Sequence, residues 1–197
     1  MGFIVSLIIF FLAVIFHEFA HGLVAYKLGD PTAKYSGRLT LNPIAHIDPI
    51  GTIVLPLFLI ITGSPFLFGW AKPVPVNFSN LRNPKKGIIW VGIAGPCMNI
   101  IIAVLMSLIA KLRIPFLPLV ILEDFIILNL VLAVFNLIPI PPLDGSRVVM
   151  GLLPTPLSYR YMKLEPYGFI IIMVMLYLGL FQSIIWPIVL SILKFLI

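Results

Sequence analysis

Charge is scarce in this chain. Lys and Arg number 13, and Asp and Glu number 7, among 197 residues. The charged share is 10%, against about 25% in a soluble domain. That shortage excludes an ordinary water-soluble globule. Cysteine is scarcer still, and the single Cys97 excludes an intramolecular disulfide. No stretch has the length or polarity of a separate soluble domain, so residues 1–197 read as one membrane-embedded domain. The net charge is +6, but the basic residues punctuate apolar runs as loop anchors do. A lipid bilayer is the expected surrounding, and no nucleic acid is expected as a partner.

What the chain does hold is hydrophobic: 61% of its residues, with a mean hydropathy of +1.16. Apolar runs cover about residues 3–26, 50–62, 87–110, 119–140 and 167–197. A helical span takes roughly 20 residues. Ile50 to Thr62 falls short, at about 20 Å of helix. Gly63, Ser64, Pro65, Gly69, Pro73 and Pro75 follow it and break helices. The expected fold is therefore an all-α polytopic membrane protein. It has about four to five transmembrane helices plus a re-entrant helix or extended segment. The last run is too long for one straight span, and Gln182 and Trp186-Pro187 predict a break.

Re-entry of 50–62 keeps Lys27 to Lys86 on one face, with Arg147, Arg160 and Lys163. Lys111, Arg113 and Lys194 stay on the other. The asymmetry puts the richer face in the cytoplasm.

His17-Glu18-Phe19-Ala20-His21 interrupts the first run, and residues 1–26 hold no other acidic or basic side chain. Ionisable groups inside a span mark function. Histidines at i and i+4 share one helix face and can reach one Zn²⁺, with a glutamate beside them to move protons. His17 lies about 24 Å and His21 about 30 Å along this helix, in the cytoplasmic half of the bilayer. A catalytic zinc takes three protein ligands and leaves a place for water. The third ligand is open among His46, Asp30, Asp48, Glu123, Asp124, Asp144 and Glu165. The topology puts Glu123 and Asp124 on the wrong face. Asp30 and Glu165 sit in charged loop sequence and read as solvated carboxylates. Asp144 ends an inward-running span, at the depth of the histidines, although Asp144-Gly145 is also an ordinary turn pair.

Three separated motifs occur in order. They are His17 to His21, then Ala94-Gly95-Pro96-Cys97-Met98-Asn99, then Asn136 through Leu143-Asp144-Gly145. Together they resemble the site-2 protease family of intramembrane zinc metalloproteases, over roughly residues 5–150, as a minimal core without a PDZ or CBS module. The resemblance implies one Zn²⁺ per chain, with His17, His21 and Asp144 as ligands and Glu18 as the catalytic glutamate. It implies a zinc endopeptidase that cleaves the transmembrane helix of a membrane-protein substrate. It also implies a multi-pass location in a prokaryotic cell membrane. Asn136 matches a family asparagine that handles substrate, although Leu137 stands where many members carry proline.

Helix is unfavourable across Pro73 and Pro75, so 66–77 reads as an extended edge or as an interfacial loop anchored by Trp70. As an edge, its Val74 and Val76 would bind an unwound substrate. His46 is either a cap before 50–62 or part of the shell behind the metal. Asn99 and Asn129 lie in spans, as interhelical bonds or as that same shell. Two other classes compete. A metal transporter needs polar groups through the whole membrane thickness, and the outer halves of these helices show almost none. A catalytically silent relative would have no use for Glu18.

Overall fold

The computed structural model describes residues 3–63, 70–114 and 118–196. Helix α1 runs Phe3–Lys27, followed by the short α2, Thr32–Tyr35. A helical excursion then runs from Pro49 through a π-helical turn into α3, Leu55–Ile61. Helices α4, Pro84–Lys111, and α5, Leu119–Asn136, are the next two long apolar elements. After them come α6, Asp144–Leu152; α7, Thr155–Met162; α8, Gly168–Tyr177; and α9, Trp186–Leu196. Among the described residues there is no β-strand.

Among the described residues, three helices are long and apolar enough to cross a membrane: α1, α4 and α5. A fourth span is available if the chain from Thr155 to Leu196 counts as one broken crossing, bent by 71°. The break falls at Gly179, whose φ of +89° lies in the left-handed region, earlier than Gln182 and Trp186-Pro187 predict. A residue without Cβ bends the chain there at little cost. Pro187 follows directly on a π-helical turn, Phe181–Ile185, that runs into α9.

The excursion 49–61 closes on itself. Asp48, not His46, caps its start, its Oδ1 accepting from the N–H groups of Ile50 at 3.0 Å and Gly51 at 2.7 Å. On the return, Trp70 N–H donates to the Gly51 carbonyl at 3.1 Å and Lys72 N–H to the His46 carbonyl at 2.9 Å. Entry and exit therefore meet at one end, as re-entry requires. Residues 66–69 of the expected extended stretch lie outside the described residues. Residues 70–77 are neither helix nor strand.

Helix α4 is the centre of the bundle, packed against α1, α5 and α6. Its start is set by Asn83, whose side chain accepts from Lys86 N–H at 3.2 Å, and by Pro84 in the first turn. One core cluster joins Ala103 of α4, Ile126 and Leu130 of α5 and Val189 of α9. Another joins Ala25, Leu81 and Val91 at the other end of α1. Outward from these, Ile101, Leu105 and Leu108 of α4 are each at least half exposed. A row of bare aliphatic side chains on a long helix needs an apolar solvent, and the bilayer supplies it.

Candidate metal centre

The site is built where α1, α4 and the start of α6 touch. His17 and His21 lie one turn apart on α1 and are both buried. The chain from α5 brings Asp144, the first residue of α6, against them. Asp144 Oδ2 stands 2.9 Å from His17 Nε2 and 3.2 Å from His21 Nε2, and the two Nε2 atoms are 3.0 Å apart. These three residues form the one His/Cys/Asp/Glu cluster of metal-binding geometry among the described residues, with all donor atoms within 4.8 Å of one another.

Small residues on α4 permit this approach. A Cβ on Gly95 would fall onto the His17 and His21 imidazoles. One on Gly92 would come within 2.8 Å of Arg147 Cβ and 3.0 Å of the Asp144 carbonyl. Gly95 lies one turn before Asn99, so one face of α4 carries both the clearance and a polar partner.

The far nitrogens fix the rings. His21 Nδ1 donates to the Val91 carbonyl oxygen at 2.7 Å, and His17 Nδ1 donates to Asn99 Oδ1 at 2.5 Å. With the ring hydrogens on Nδ1, neutral imidazoles present lone pairs at Nε2. Two nitrogen lone pairs and a carboxylate oxygen then converge with no hydrogen between them. Such an arrangement is repulsive unless a cation joins it. Tetrahedral zinc, with bonds of about 2.0–2.1 Å, holds its ligands about 3.3 Å apart. The observed separations need only a small expansion, so the residues present fit the metal.

A cavity of about 280 Å³ opens on this cluster. Of the residues singled out from sequence, His17, Glu18, His21, Val74, Val76, Asn136 and Asp144 all line it. Glu18 Oε2 accepts from Val74 N–H at 2.7 Å, so the segment after Pro73 lies across the glutamate. Asn136 Nδ2 donates to the Leu132 carbonyl of its own helix at 3.0 Å. His46 is not among the lining residues. It is fully buried, with Nε2 donating to the Thr40 carbonyl at 2.8 Å, and the structure does not bring it to the histidine pair.

Sequence reasoning missed two kinds of residue. Phe78 and Arg147 also line the cavity, with the guanidinium 5.4 Å over the Phe78 ring. Arg147 read only as a loop cation, although it follows Asp144 by three residues and so shares its helix face. Asp30 read as solvated and is instead completely buried. It accepts from Asn77 N–H at 2.7 Å, from Asn80 Nδ2 at 2.9 Å and from both the N–H and hydroxyl of Thr32. Burial pushes this carboxyl up, but those donors outweigh it and hold its pKa below the ordinary value. Glu165 is exposed as expected, 3.4 Å from Arg147, a contact of little energetic weight.

Known proteins bear on the same reading. Peptidase family M50 matches residues 116–178. YwhC of Bacillus subtilis, named as a candidate zinc metalloprotease, is 41% identical over 187 residues, covering 87% of this chain and 79% of that one. Rip2 of Mycolicibacterium smegmatis, named likewise, is 30% identical over 165 residues, with 81% and 61% covered. A zinc metalloprotease of Methanocaldococcus jannaschii is 29% identical over 162 residues, and this chain spans 37% of its length. No solved structure matches. Convergent zinc-type donors on an apolar helix, the M50 match and the extent of identity to YwhC make this chain a member of peptidase family M50, the site-2 protease family of membrane zinc metalloproteases.

Proposed function

We propose that this chain is an intramembrane endopeptidase that holds one Zn²⁺ through His17, His21 and Asp144 and cleaves transmembrane segments of membrane proteins. The observation that carries the reading is the convergence of three donor atoms, two on the apolar helix α1 and one at the start of α6, beside a glutamate. When bound there, Zn²⁺ supplies Lewis acidity to the scissile carbonyl and acidifies water. Glu18 shares the cavity, takes the water's proton and returns it to the leaving amine. Asn136, on the cavity wall, keeps its amide oxygen for the bound peptide. Val74 and Val76, which line the same cavity, flank the substrate, and the peptide adopts an extended form between them and the metal. The substrate is a single-span protein, unwound locally so that its carbonyls leave their helical bonds. The proposed location is a prokaryotic cell membrane, and the excess of basic loop residues on one face supports a site in its cytoplasmic half.

Glu18→Gln tests the division of labour. The amide keeps the shape of the side chain and cannot accept the proton. Zinc content by elemental analysis should stay at the wild-type level, while cleavage of a model single-span substrate falls by about 10²–10⁴-fold or more. Near-normal cleavage by Glu18→Gln would remove this residue from the chemistry.

A further inference from the structure

Two fully buried asparagines, Asn99 on α4 and Asn129 on α5, stand outside the ligand set. An amide has an acceptor at one end and two hydrogens at the other, so its orientation decides what it offers a neighbour. Here the bonds run in one consistent direction. Asn129 Nδ2 donates to the Phe125 carbonyl at 2.8 Å. That turns Asn129 Oδ1 towards α4, where it accepts from Asn99 Nδ2 at 2.8 Å. Asn99 Nδ2 gives its second hydrogen to the Ala13 carbonyl of α1 at 3.3 Å. With both hydrogens engaged, Asn99 can present only its oxygen to His17.

We propose that Asn129 and Asn99 are positioning residues that select the tautomer of His17. The Phe125 carbonyl can only accept. Through two amides, that polarity reaches the imidazole and keeps the hydrogen on Nδ1, leaving the Nε2 lone pair for the metal. Reversing Asn99 would set its oxygen against Asn129 Oδ1 and the Ala13 carbonyl. It would also aim N–H at His17 Nδ1, which then keeps its lone pair and moves its hydrogen to Nε2, where a ligand must be bare. In an apolar interior that mismatch is costly, so one orientation prevails. His21 needs no relay, because its partner is the backbone carbonyl of Val91, which has no second orientation. Helix α5 thus serves the centre twice: it leads to Asp144, and through Asn129 it sets a histidine on α1. The inference rests on the reading of His17 as a ligand.

The chain has three histidines, so ¹⁵N-histidine labelling of the whole protein in lipid nanodiscs gives a spectrum simple enough to assign. The wild type should show a hydrogen-bonded Nδ1–H on His17, with and without zinc. Asn129→Leu should move that hydrogen towards Nε2 and weaken zinc binding by about 10–100-fold, the usual cost of losing such a partner. The His21 signal should not change. Asn129→Asp keeps an acceptor facing Asn99 and should restore both readouts. Should the leucine variant not fold, Asn129→Ala removes the same acceptor without crowding. An unchanged His17 tautomer and zinc affinity in Asn129→Leu or Asn129→Ala would overturn the proposal. So would failure of Asn129→Asp to restore them. A wild type that takes up no zinc, with a tautomer that still responds at position 129, would sink the ligand reading and leave the relay standing.

Discussion

Gly95 decides whether the centre can close. The histidines and Asp144 come from helices separated by more than 100 residues of chain, and their donor atoms meet because α4 offers no side chain between them. Adding one methyl group places it on both imidazoles. Gly95→Ala should therefore lose most bound zinc, as Asp144→Ala should by removing a ligand. Glu165→Ala should keep its metal, because that carboxylate is exposed and pairs with Arg147, away from the histidines. Metal content of the purified variants checks all three. Full zinc in Gly95→Ala would mean that α4 can slide away, and equal zinc in Asp144→Ala and Glu165→Ala would point to another third ligand. Of these residues, His17, Glu18 and His21 are legible from sequence because i, i+4 spacing is local. Asp30 is not legible. A carboxylate between Gly29 and Pro31 looks like a solvated turn, and its partners Asn77 and Asn80 lie some 50 residues away.

Among the elements, the stretch Lys72 to Asn80 ties the site together. Its early part is pinned to Glu18 through Val74 N–H, and its later part to Asp30 through Asn77 and Asn80. Both anchors stand on or just beyond α1, so the strap is fixed relative to the histidines. The contact at Val74 is a backbone donor, and only proline removes it. Val74→Pro should lower cleavage by at least about ten-fold with zinc retained, because Glu18 loses the partner that orients it for proton transfer. Val74→Ala keeps the N–H and should cost far less. Cleavage and zinc content measured together on the two variants decide this. Normal cleavage by a folded, zinc-loaded Val74→Pro would reduce the strap to a surface loop. The proline pattern predicted an extended course here. It carried no sign that the first bond of the segment goes to the glutamate.

For the whole molecule, the parity of crossings brings the two halves of the site together. In the proposed topology, one crossing by α1, an excursion that returns to its entry, and two crossings by α4 and α5 leave Asp144 on the side of the histidines. In the proposed orientation, the basic excess on that side turns it towards the cytoplasm. In a Cys97→Ser background, Asn83→Cys and Lys163→Cys should react with an impermeant thiol reagent only from the cytoplasmic side, and Arg113→Cys only from outside. Labelling of Asn83→Cys and Arg113→Cys from the same side would contradict the proposed crossings and orientation.

Composition, run length and the spacing of two histidines around a glutamate determined the all-helical membrane class, marked out α1, α4 and α5, and pointed to a zinc site. Each is a local property of the chain, read within one turn or one span. The tertiary structure decided what depends on distant partners. It turned Asp30 inward and put Asp48 rather than His46 at the head of the excursion. It moved the break in the last run to Gly179, laid Val74 across Glu18 and lined the cavity with Phe78 and Arg147. It also gave direction to the bonds from Asn129 to His17. The physical reason is the same in each case. A hydrophobic pattern states which face of a helix leaves water, but it does not state which polar group waits on the neighbouring helix, and buried donors and acceptors take their roles from that neighbour.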